Sequence, residues 1–120
     1  MQVIHVRTPD SVGESVRVAP FVVAILLDSG NPSAAVKELG GTGRVHDWTI
    51  SRTIRDAIHL PLFLAGGLRA SNVAEAIAAV RPFGVDVCSG VRTKGRLDAA
   101  AVRAFIAAAT RSDRQLEEKR

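Results

Sequence analysis

Two aspartates and two glycine turns are the residues of this chain best suited to chemistry. Asp28 closes the apolar run Phe21–Leu27 (FVVAILL), and Asp86 stands between Val85 and Val87 in a second apolar segment. A carboxyl group at the carboxyl end of a buried strand lies where α/β proteins assemble their active sites. Burial there favours the protonated form, which suits a group that gives up a proton. The simpler role for Asp28 is to cap the loop that follows it. Strand alternation turns the Asp86 side chain the same way as Gly84 and Cys88. If the sheet closes into a barrel, that direction is inward, where a charge is costly unless it meets a ligand or a partner.

Gly66-Gly67 and Ser89-Gly90 each follow a short apolar run and precede a helical pattern. Glycines let the backbone approach an oxyanion closely enough for its N–H groups to bind it. One such turn is commonplace. Two on consecutive strands match the place where barrel enzymes commonly hold phosphate, after the last two strands. A phosphorylated small molecule is therefore the expected ligand. Gly40-Gly41-Thr42-Gly43-Arg44 lacks the Lys-Ser/Thr ending of a nucleotide loop and does not directly follow a strand, so it reads as a lid. His5, His46 and His59 show no metal-ligand spacing, and neither a metal nor a cofactor is expected. His5 reads as a core or rim histidine that could reach the mouth of the sheet, and His46 as a structural or lid residue. Cys88 reads as a small buried hydrophobe. As a base or nucleophile it would share a facing with Asp86, but no histidine lies near it in sequence.

The patterning predicts the scaffold for these residues. Gln2–Val6 reads as a strand. Ser11 and Glu14 have capping-box spacing and open a helix that Pro20 stops after about Ala19. The run ending at Leu27 reads as a strand buried on both faces, as a parallel sheet requires. A long glycine-rich loop follows, of a length that is usually functional or disordered. Asp47 caps a helix to about Ile58, with Ile50, Ile54 and Ile58 on one face. Pro61–Ala65 is a strand. Asn72 and Glu75 give capping-box spacing for a helix to about Val80, and Gly84–Cys88 is the last strand. Asp98 caps an Ala-rich helix to about Ala109, with Val102, Phe105, Ile106 and Ala109 inward. The order is βαβαβαβα: four parallel units over residues 1–110, then a polar tail, 111–120, that frays or extends the helix into solvent. Two closures fit, an open flavodoxin-like sheet or half of a (β/α)8 barrel, whose full length is typically about 250 residues.

Composition narrows the function classes. With 120 residues, 47% of them apolar, the chain can bury one core; with 4% aromatic residues and no Tyr, that core is Val, Ile, Leu and Ala, and base stacking is poorly served. The net charge of +4 is spread along the chain rather than gathered in a stripe. This disfavours nucleic acid and suits a small anionic substrate. No apolar run could span a bilayer, and no signal-peptide pattern opens the chain. A cytoplasmic protein without membrane contact is expected. A single cysteine excludes an internal disulfide.

The segments VAILLDS, GGTGRVHDW and FLAGGLRASNVAEAIAAVRPFGVDVCSGV, with the opening QVIHV, resemble phosphoribosylanthranilate isomerase, the barrel family of the tryptophan pathway. The resemblance runs in order over nearly the whole chain and is to the second half of that barrel, its fifth to eighth strand–helix units. It implies an Amadori rearrangement, in which an aminoaldose phosphate opens and becomes an aminoketose phosphate. By that resemblance Asp28 matches the general acid that protonates the ribose ring oxygen. Asp86 matches a substrate-contacting aspartate of the last strand, and Gly66, Gly67, Ser89 and Gly90 match the phosphate turns. The family's general base is a cysteine at the end of the first strand, in a Lys-Ile-Cys-Gly-Ile-Thr run that this sequence does not contain. Cys88 stands where many members have serine and could approach that vacated place, because the last strand neighbours the first in a closed barrel. Lys94 or Arg96 either adds charge near the phosphate or is solvated surface.

The resemblance thus implies a half-barrel that holds the acid and the phosphate site and needs a complementary half, from a second copy or another chain. The outer edges of its first and last strands would be pairing templates. Two other readings compete. One is a sugar-phosphate-binding module without chemistry. The other is a barrel such as indole-glycerol-phosphate synthase, which ranks lower because no strand-end lysine is present.

Overall fold

The computed structural model describes residues 1–28 and 48–118, the side chains of 112–118 excepted. The expected lid at Gly40–Arg44, His46 and the Asp47 cap lie outside the described residues. Four strands, β1 (Gln2–His5), β2 (Ile25–Asp28), β3 (Leu62–Ala65) and β4 (Gly84–Val85), form one sheet. All neighbours are parallel and the spatial order is the chain order, β1-β2-β3-β4. A flavodoxin-like sheet would place β1 between its second and third strands. That alternative is overturned, and the sequential order is that of a barrel wall.

The helices are α1 (Asp10–Val18), α2 (Thr49–Ala57), α3 (Val73–Val80) and α4 (Ala99–Glu118). Each packs on the next along the series. Right-handed crossovers that always step the same way across a sheet put every helix on one face. The core lies between: Ile4, Ile25, Leu27, Leu62 and Leu64 from the strands meet Ile54, Val73, Ala76, Ile77, Val80 and Phe105 from the helices. Each Val, Leu, Ile or Phe side chain among them contributes about 1.5–3 kcal/mol when fully buried. Registration alternates the other residues to the opposite face, where Val3 pairs with Leu26, Leu26 with Phe63 and Phe63 with Gly84. Leu26, Phe63 and Gly84 are only partly covered there, and Val3 is 44% exposed. The edge of the Phe83 ring meets Phe63 at a centroid distance of 5.5 Å.

Several boundaries differ from expectation for identifiable reasons. Phe21 belongs to a 3-10 turn, Ala19–Phe21, and with Val23 stays exposed, so the apolar run pairs only from Ile25. Pro20, with no N–H, sits at the start of that turn. Ser11 lies inside α1 rather than capping it. Its hydroxyl accepts the Arg7 N–H and donates to the His5 carbonyl, both at 3.4 Å. The last strand stops at Val85, three residues early, although the Asp86 N–H still donates to the Leu64 carbonyl at 2.8 Å. Asp98 does cap its helix, through Oδ1 to the N–H groups of Ala100 (2.9 Å) and Ala101 (3.2 Å). That helix continues to Glu118, and its buried face uses Phe105 and Ala108 while Ile106 is exposed. Among the described residues no helix is long and apolar enough to cross a membrane.

Candidate functional site

The carboxyl ends of the strands bring four positions into one row on the uncovered face. His5 pairs with Asp28 and Asp28 with Ala65. One step beyond the Leu64–Val85 pair, Asp86 falls beside Ala65. The row is thus His5, Asp28, Ala65, Asp86, with a methyl group as the only side chain between the two carboxylates. The Val6 N–H donates to the Asp28 carbonyl at 2.9 Å and fixes the end of β2 against β1. His5 Nδ1 lies 3.6 Å from Asp28 Oδ2, an ion pair when the imidazole is protonated. The two side chains are 59% and 33% exposed.

The burial expected of Asp28 is therefore incomplete in this chain. Asp86 is exposed, just beyond the end of β4. Cys88 is also exposed, contrary to the expectation of a buried hydrophobe, because β4 ends before it and the backbone turns there.

The two glycine turns lie beside this row. After β3, Gly66 (φ 98°) and Gly67 (φ 66°) both adopt the left-handed region that only glycine enters without strain. Leu68 then buries its side chain in the core. The Asn72 side chain, which precedes α3, does not cap that helix as its spacing suggests. Its Oδ1 accepts the Arg69 N–H at 2.8 Å, and its Nδ2 donates to the Gly67 carbonyl at 3.0 Å.

After β4 the chain makes one 3-10 turn, Ser89–Val91, with Val91 buried. It does not enter a helix directly. A small hairpin of β5 (Arg92–Thr93) and β6 (Arg96–Leu97) comes first, carrying exposed Lys94 and Arg96. The turns touch: a Cβ at Gly90 would run into the Leu68 carbonyl oxygen and lie 3.0 Å from its carbon. Glycine is required at position 90 by that approach, not by its own dihedrals. Among the described residues, the N–H groups of Gly67, Ser89 and Gly90 engage no backbone acceptor, which leaves donors at the surface of both turns.

All six residues expected at a site therefore gather at one sheet edge: Asp28 and Asp86 in the row, Gly66, Gly67, Ser89 and Gly90 in the turns. Two further residues had a weaker signal in the sequence. His5 could be linked to Asp28 only through the strand register. Asn72 carries the spacing of a cap but acts on the turn before it.

Comparison with known proteins identifies the family. The family model for N-(5'-phosphoribosyl)anthranilate (PRA) isomerase matches residues 2–108. The N-(5'-phosphoribosyl)anthranilate isomerase of Haloferax volcanii is 52% identical over 93 residues, 77% of this chain and 40% of that protein. That of Methanothrix thermoacetophila is 42% identical over 105 residues, 88% of this chain and 49% of that protein. A crystal structure of phosphoribosyl anthranilate isomerase from Thermotoga maritima superposes with a TM-score of 0.72 at 36% identity, covering 90% of this chain and 49% of that one. The chain thus spans about half the length, or less, of these relatives. With its sequential parallel sheet and its match from residue 2 to residue 108, the chain belongs to the N-(5'-phosphoribosyl)anthranilate isomerase family.

Proposed function

We propose that the chain supplies the acid and phosphate end of an isomerase site for N-(5'-phosphoribosyl)anthranilate, in tryptophan biosynthesis in the cytoplasm. The observation that carries this reading is the juxtaposition at one sheet edge of Asp28 and two mutually packed glycine turns. In the proposed reaction the N–H groups of Gly66, Gly67, Ser89 and Gly90 bind the phosphate. Asp86 contacts the substrate. Asp28 gives its proton to the ribose ring oxygen as the C1–O bond breaks and the nitrogen lone pair forms a C1=N bond. Loss of the C2 proton to a base then yields the enamine–enol, which becomes the aminoketose.

That base is not among the residues gathered here. The family's base-bearing strand has no counterpart in this sequence, and Cys88 is an exposed thiol beyond the end of β4. The base would come from a complementary half of the barrel, docking on the open face and on the outer edges of β1 and β4. The exposure of Val3 and the half-covered Leu26 and Phe63 support this, because parallel sheets are ordinarily buried on both faces. The phosphoribosylanthranilate isomerase of Thermotoga maritima is dimeric.

The alternative, a sugar-phosphate-binding module, is favoured for the chain alone by the missing base. Calorimetry with reduced 1-(o-carboxyphenylamino)-1-deoxyribulose 5-phosphate, which a solved family member holds in complex, tests the site. Micromolar to millimolar binding is expected. No binding at millimolar ligand, with or without a complementary half, would refute the proposal.

A further inference from the structure

The Arg92–Arg96 hairpin is an exposed cationic loop held by its own contacts, Arg92 to the Gly95 carbonyl at 3.3 Å and Thr93 to Asp98 at 2.7 Å. Cys88 is a lone exposed thiol. Neither is joined by a second group pointing to a ligand. Asn72 differs, because both arms of its amide are spent on one functional turn.

We infer that Asn72 is the positioning residue of the phosphate site, acting through the Gly66–Arg69 turn; this rests on the function proposed above. The turn runs through two consecutive left-handed residues, Gly66 and Gly67, and such a backbone has many accessible conformations when nothing holds it. Asn72 supplies the hold from the rigid end of α3. Its Nδ2 fixes the direction of the Gly67 carbonyl, which also fixes the plane of the Gly67–Leu68 peptide. Its Oδ1 fixes the Arg69 N–H, and so the plane of the Leu68–Arg69 peptide. The two planes together set the orientation of the Leu68 carbonyl, against which Gly90 packs without room for a methyl group. One side chain therefore holds the first turn directly and registers the second against it.

Backbone donors bind an oxyanion well only when they converge before it arrives. The Asn72 side chain thus serves the turn instead of the helix. The helix start is itself secured by backbone bonds, the Val73 N–H to the Arg69 carbonyl at 2.9 Å among them.

The test is a titration of the 15N-labelled chain with inorganic phosphate, comparing wild type, Asn72→Ala and Asn72→Asp. In the wild type the amide signals of Gly66, Gly67, Ser89 and Gly90 are expected to move together. In Asn72→Ala the phosphate concentration at half-saturation should rise about ten- to a hundredfold, the range of a displaced binding group, while the Val73–Val80 amide signals stay in place. Equal affinity in Asn72→Ala would overturn the inference. If the wild type binds no phosphate, the proposed phosphate site fails instead. Positioning is then read from hydrogen exchange at the Arg69 N–H: protection lost in Asn72→Ala but kept in Asn72→Asp, whose carboxylate can still accept that bond, supports it. Equal exchange in wild type and Asn72→Ala rejects it. Asn72→Asp also guards against misfolding, since Asp is as well suited as Asn to precede a helix.

Discussion

Asp28 keeps a third of its side chain in solvent while an imidazole nitrogen stands 3.6 Å away, so water can reach this carboxyl group and His5 can steer it. Gly90 is constrained in a different way. Its Cα faces a backbone carbonyl that cannot rotate aside, so Gly90→Ala must push the two turns apart. Overpacking of this kind typically costs about 1–3 kcal/mol. Urea denaturation of Gly90→Ala should show that loss, together with weaker phosphate binding. An unchanged midpoint would mean that the turns do not touch in solution. The position of Asp28 was legible because a single carboxylate closes a wholly apolar run. Its partner was not, because the His5–Asp28 pairing depends on the register of β1 against β2, which no local pattern encodes. The need for Gly90 was hidden for the same reason, since the collision is with Leu68, twenty-two residues back.

At the scale of elements, α4 is anchored by Asp98, which accepts from two N–H groups of the first turn and from the Thr93 hydroxyl of the hairpin. The Thr93 hydrogen bond, with those to Ala101 and Ala100, holds the Asp98 carboxyl below the ordinary carboxylate value. A group depressed in this way stabilises the fold above its unfolded-state value of about 3.9, and the contribution is lost as pH falls through the lower folded value. Asp98→Asn still caps but cannot titrate. Its melting temperature should therefore fall less steeply than the wild type's below about pH 4. Parallel acid limits in thermal scans would contradict this. The Asp98 cap was readable because the upstream Thr93 hydroxyl takes its other oxygen and leaves Oδ1 to the helix. Ser11 and Asn72 carried capping-box spacing and do other work. Ser11 is drawn to the end of β1 and Asn72 to the glycine turn, and both acceptors or donors lie outside the helix each was expected to start.

At the scale of the molecule, four strands in chain order and one layer of helices make a wall whose outer face is covered and whose inner face, among the described residues, is only partly so. The open face carries Val3, Leu26 and Phe63 beside the acidic row, and both strand edges can pair. The chain should therefore associate. Sedimentation equilibrium at micromolar concentration is expected to give a mass above the monomer's 12.7 kDa, and a strictly monomeric chain would count against docking on this face. The four-unit order was legible from short apolar runs alternating with helical patterns, but the choice between barrel wall and flavodoxin-like sheet was not, because strand order is set by crossovers that leave the local pattern unchanged.

On the proposed function, this chain brings the acid and the phosphate turns to a site whose base comes from elsewhere. Turnover of N-(5'-phosphoribosyl)anthranilate measures it most directly, with the chain alone and with the first half of the Haloferax volcanii relative's barrel added. The expected result is no turnover alone, turnover in the mixture, and a loss of about a hundredfold or more in kcat when the mixture contains Asp28→Asn. Turnover in the mixture that survives Asp28→Asn, or none from a mixture in which the two halves demonstrably bind, would contradict it.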